Sequence, residues 1–100
     1  MAEINKDKIR QLITDGLNEV IEINGGDFII NDELIILGDG GVLDSFEFVS
    51  FVADLEEKLS DEYGKSISLV SEKAFSKKYS PFKTIERIAD YSIELLNEAE

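Results

Sequence analysis

Three stretches of this chain repeat apolar residues at the spacing of one helical face, and that periodicity limits the fold more than any other feature. Ile9, Leu12, Ile13, Leu17, Val20 and Ile21 form the first stripe; Phe48, Phe51, Val52, Leu55 and Leu59 the second; Ile85, Ile88, Ala89, Ser92, Leu95 and Leu96 the third. A helix with one apolar side must cover it with another element, so the expected fold is an all-α bundle. One hundred residues, 43% hydrophobic, are enough for one core and too few for two, which points to a single domain over residues 1–100. The pattern places helices at about residues 5–23, 45–62 and 82–97, with a short one at 71–79 after the extended-looking Ile67-Ser68-Leu69-Val70. The sum is a small four-helix bundle, three helices main and one minor. Asn24-Gly25-Gly26 should stop the first helix and Tyr63-Gly64 the second; Ser80 or Thr84 should cap the last, with Pro81 in its first turn. Residues 27–44 lack a helical period and carry Gly38, Gly40 and Gly41, so they read as a long ordered loop pinned by Phe28, Ile30, Leu34, Ile36 and Leu37, with room for a short strand.

Composition removes several chemistries. The chain has no cysteine and no histidine. Disulfides, thiolate metal sites, cysteine nucleophiles, Ser-His-Asp catalysis and histidine-ligated metals are therefore excluded. MAEINKDKIR lacks the apolar core of a signal peptide, and the longest aliphatic run, Leu34 to Leu37, cannot span a bilayer, so a soluble, cytoplasmic monomer with no membrane partner is expected. The net charge of −12 is unevenly spread: Gln11 to Glu57 holds twelve Asp or Glu and no Lys or Arg, while the rest of the chain carries ten acids and ten bases. Such a field repels nucleic acid and favours protein partners with basic docking surfaces, although an acidic surface also serves solubility alone.

The segment GVLDSFEFVSFVADLEE, residues 41–57, concentrates the remaining signals. At one hundred degrees per residue, Phe46, Val49 and Ala53 gather opposite the core stripe, bordered by Ser50, Glu56 and Glu57. Either the helix is buried on two sides, or it shows solvent an apolar strip ringed by the acids Glu47, Asp54, Glu56 and Glu57, the anatomy of a docking surface. Ser45 has two readings as well. A serine or aspartate before an apolar run is ordinarily an N-cap, and the same helix terminus also favours an attached phosphate. A hydrolase built on Ser45 would need a base, and the nearest lysine, Lys58, is more than three turns further along the helix. Asp39, Asp44 and Glu47 lack the alternate spacing of a calcium loop.

Gly41-Val42-Leu43-Asp44-Ser45-Phe46, then Glu47-Phe48-Val49 and Leu55-Glu56-Glu57, resemble the Asp-Ser-Leu attachment motif and recognition helix of acyl carrier proteins, and Pro81-Phe82-Lys83-Thr84-Ile85 with Ile88-Ala89-Asp90-Tyr91 is similar to the last helix of that family. The likeness runs from the first helix to about Leu96. Phe46 stands where the family has Leu, and the extended Asn24 to Gly40 connection looks like that of stand-alone carriers of specialised pathways. The resemblance implies a carrier rather than an enzyme, with 4'-phosphopantetheine attached to Ser45 and an acyl or aminoacyl group held as a thioester, in fatty-acid, polyketide, nonribosomal-peptide or related biosynthesis. Asp44 would orient a phosphopantetheinyl transferase. Phe46, Glu47, Val49, Ala53, Asp54, Glu56 and Glu57 would meet a loading ligase, acyltransferase or condensing enzyme. The alternative is an unmodified acidic adaptor that uses the same helix only for docking.

Overall fold

The computed structural model describes residues 4–24, 30, 33–38, 40–75 and 80–98. They form three long helices and one short turn of helix: α1, Lys6–Asn24; α2, Ser45–Tyr63; α3, Glu72–Phe75; α4, Ile85–Glu98. Among the described residues there is no strand, and no helix is long and apolar enough to cross a membrane. The expected stop at Gly25-Gly26, the anchor at Phe28 and the end of the minor helix at residues 76–79 lie outside the described residues.

The three stripes meet in one cluster. Ile9, Ile13, Leu17, Val20 and Ile21 of α1, Phe48, Phe51, Val52, Leu55 and Leu59 of α2, and Ile85, Ile88, Ala89 and Leu96 of α4 are buried together, and Leu12 and Leu95 flank them half-buried. A fully buried phenylalanine or leucine contributes roughly 1.5–3 kcal/mol relative to an exposed one, so Phe51, Leu55 and Leu59 are principal stabilisers. An aromatic row ties α2 to α4: Phe48 lies 5.0 Å from Phe82 and Phe82 6.0 Å edge-on from Tyr91. Phe48 meets the chain just before α4, and Lys65, just past α2, reaches the carbonyl of Leu96, so α2 and α4 run the same way. Helix α1 contacts both from its N-terminal end. The Asn5 N–H at its start donates to the Tyr63 hydroxyl at the end of α2 (3.5 Å), and Lys6 and Arg10 pair with Glu86 and Asp90.

The helix ends follow from local chemistry. Asn5 caps α1, its Oδ1 accepting from the N–H groups of Asp7 and Lys8 at 2.9 and 3.2 Å. Gly64, in the left-handed region at φ 66°, closes α2 by donating to Ser60 O. The start of α4 differs from expectation. It begins at Ile85 rather than near residue 82, capped by Thr84, whose Oγ1 accepts from Arg87 N at 3.3 Å. Pro81 sits in the preceding turn, where Ser80 Oγ accepts from Phe82 N at 3.2 Å. The reason lies across the fold: Lys83 O accepts from Ile36 N at 2.7 Å, an outward carbonyl that a helix through residue 83 would have turned along its own axis.

That bond belongs to a lacing that holds the long loop. Leu43 N donates to Ile36 O, Val42 N to Ile35 O and Gly41 N to Gly38 O, so residues 35–43 fold back on themselves around a tight turn. Ile36 is fully buried, Ile30 and Leu37 pack half-buried against the core, and Leu43 is buried two residues before Ser45. A Cβ on Gly41 would stand 2.8 Å from Ile36 O, so only glycine fits this close approach. Gly41→Ala should lower stability by about 1–3 kcal/mol in urea unfolding. A second expectation concerns alkali. Lys58 bonds Glu19 (3.2 Å) and lies 3.4 Å from Asp54, and chiefly the Glu19 hydrogen bond raises its pKa above the ordinary 10.5. A raised lysine contributes stability that is fully present below its unfolded pKa and lost as pH rises through the folded one. Unfolding midpoints followed upward from about pH 10.5 should therefore fall, and Lys58→Met should shrink that fall.

Candidate functional site

The head of α2 gathers the residues the sequence singled out. Asp44, with extended backbone at φ −81° and ψ 178°, is the N-cap; its Oδ1 accepts from Glu47 N at 2.8 Å while Glu47 Oε1 accepts from Asp44 N at 3.0 Å. This reciprocal capping box satisfies two backbone donors with two side chains. Ser45 is the first helical residue and not the cap. Its side chain is exposed, and no described residue hydrogen-bonds its hydroxyl. Side chains in a helix lean toward its N-terminus, so this hydroxyl stands over the loop that precedes it. Gly38 and Gly40 of that loop carry no side chains, and a Cβ on either would meet nothing within 4 Å.

One turn on, the strip opposite the core lies open. Phe46 is 83% exposed and Val49 64%, with Ala53 and Ser50 exposed beside them, so α2 is buried on one side only. An 83% exposed phenylalanine gives up most of the transfer free energy that its burial would supply, a cost the fold carries without return inside this chain.

The acids expected to ring this strip are placed differently from one another. Glu57 is exposed with no partner among the described residues. Glu47 is half-buried in the capping box. Asp54 faces α1, beside Gly16 and 3.4 Å from Lys58. Glu56 turns toward the connection between α2 and α3, where its Oε2 accepts from Leu69 N at 2.6 Å and holds the fully buried Leu69 in place. Three of these four acids thus do intramolecular work as well as adding negative charge. Asp39 lies outside the described residues.

The structure also gathers residues that the sequence did not mark as one site. A groove of about 340 Å³ opens between the loop and the approach to α4, lined by Ile35, Leu37, Gly38, Ser80 and Lys83. Its two sides meet through the Ile36 N–H and Lys83 carbonyl, a contact between residues 47 positions apart that no local pattern announces.

Because the cap is Asp44, the two neighbouring substitutions should part in their effects. Asp44→Ala should cost about 1 kcal/mol, whereas Ser45→Ala should stay within about 0.5 kcal/mol of wild type in thermal or urea unfolding. Compared with protein-family models, with curated proteins and with solved structures, the chain finds no match in any of the three, so a reading of this site stands on its own residues.

Proposed function

We propose that this chain is a carrier of acyl or aminoacyl groups, bound as thioesters to a 4'-phosphopantetheine arm on Ser45. The observation that supports it best is a serine at the first position of a helix, exposed and relieved of capping by the aspartate before it. A structural serine at such a place is ordinarily the cap.

The residues present fit the group. A phosphodiester on Ser45 Oγ would sit at the positive end of the α2 dipole, where negative charge is favoured by about 0.3–1 kcal/mol. The Asp44 carboxylate is partly offset by the Glu47 N–H it accepts from, and the exposed side of Ser45 leaves a transferase room to approach. In the attachment, Ser45 Oγ bonds the phosphorus that bears pantetheine in coenzyme A. The anhydride P–O bond breaks, adenosine 3',5'-bisphosphate leaves, and the serine proton passes to a base of the transferase, since this chain has no histidine to take it. The arm supplies the thiol that a cysteine-free chain lacks. Asp44 and Glu47 hold the hydroxyl in position by fixing the first turn of α2.

For docking, Phe46, Val49 and Ala53 offer an apolar contact with Glu57 exposed at its margin, and the net charge of −12 steers the molecule toward basic surfaces. Enzymes that load or extend the cargo and then release the carrier need fast, weak encounters, which suit a small strip in a charged field. Glu47, Asp54 and Glu56 join this reading through their charge more than through direct contact.

Intact-protein mass after incubation with coenzyme A, magnesium and a broad-specificity phosphopantetheinyl transferase tests the proposal. Wild type should gain one phosphopantetheine and Ser45→Ala none, and because that variant should fold as stably as wild type, its silence would report lost attachment. No gain on wild type, with a transferase active on another carrier, would sink the proposal in favour of an unmodified acidic adaptor.

A further inference from the structure

We infer that the groove between the 35–38 segment and the approach to α4 is a subsite for the far end of the cargo, and that it selects acyl groups ending in a carboxylate. This rests on the carrier reading above and adds to it the chemistry of the load. Ile35 and Leu37 give the groove half-buried apolar walls, Leu37 packed against the core, suited to methylene groups. Across from them stand two donors. The Lys83 ammonium is exposed and has no ion-pair partner among the described residues, in a chain whose net charge is −12. Ser80 Oγ already accepts from Phe82 N, which leaves its hydrogen to donate outward. An ammonium and a hydroxyl donor in a groove with apolar walls match a carboxylate on an alkyl chain, and leave a methyl terminus with nothing to gain from them.

Position agrees with chemistry. Leu43 N bonds Ile36 O and Ile36 N bonds Lys83 O, so the groove and the head of α2 share one end of the molecule. Ser45 follows Leu43 by two residues, about 7 Å of chain, and its side chain leans back toward the loop. A long arm on Ser45 can fold over Gly38, where a Cβ would meet nothing within 4 Å.

The test uses two cargoes of equal length. The transferase is supplied with succinyl-coenzyme A or butyryl-coenzyme A, loading is read by intact mass, and each product is compared by amide nitrogen–proton NMR. The succinyl form should shift the amides of Ile35, Leu37, Gly38, Ser80 and Lys83 beyond the butyryl form. Lys83→Gln, with its fold checked by the unchanged remainder of its spectrum, should erase that difference, as should high salt. Equal shifts from the two cargoes, or a difference that survives Lys83→Gln, would overturn the subsite while leaving the carrier standing. Absence of any mass gain would overturn the carrier reading and the subsite with it.

Discussion

Ile36 is the residue on which the working end of this bundle depends. Its side chain is fully buried, its N–H is given to Lys83 O and its carbonyl to Leu43 N, so one loop residue ties three distant segments together. A buried backbone with both polar groups paired is what allows a long connection to pack as part of the core. The head of α2 inherits its position from that tie: Leu43 is anchored, Asp44 begins the helix, and Ser45 emerges where the loop ends. The late start of α4 has the same origin, because the Lys83 carbonyl is already committed across the fold.

The charge of the chain is organised by the same economy. Lys6 and Arg10 of α1 hold α4 through Glu86 and Asp90, Lys58 of α2, beside Asp54 of its own helix, reaches Glu19 of α1, and the surplus remains acidic. Exposed pairs of this kind contribute little each, and they are screened by salt. Their larger effect is on shape. They neutralise charge where helices meet and leave it unbalanced at the exposed Glu57.

Much of the fold was legible because helical periodicity is a direct image of burial: every residue of the second stripe is buried, and the opposite strip is exposed. What local patterns missed were contacts between distant positions. Ser45 and Asp44 are both good caps, and the deciding signal was present in the spacing Asp44-x-x-Glu47, which favours a reciprocal box starting at Asp44. Glu56 lies at the edge of its strip on a helical wheel, and nothing within its helix shows that Leu69 N will claim it. Ser80 reads from the sequence only as a candidate cap and Lys83 only as part of the approach to the last helix, since their place beside the loop exists only after Ile36 has bonded across to Lys83. Their neighbourhood is a product of topology.

The bond from Glu56 to Leu69 has a dynamic corollary. The head of the bundle is laced by several backbone bonds, whereas beyond the Gly64 cap the connection over residues 65–71 is held by side chains: the Glu56 carboxylate on Leu69 N, the Lys65 ammonium on Leu96 O, and Leu69 and Ile67 packed on the core. Segments tied by few bonds open at a fraction of the global unfolding free energy. The molecule therefore has a stiff end and a soft flank, and a flank that parts without disturbing either long helix gives a route into the apolar interior that costs far less than unfolding.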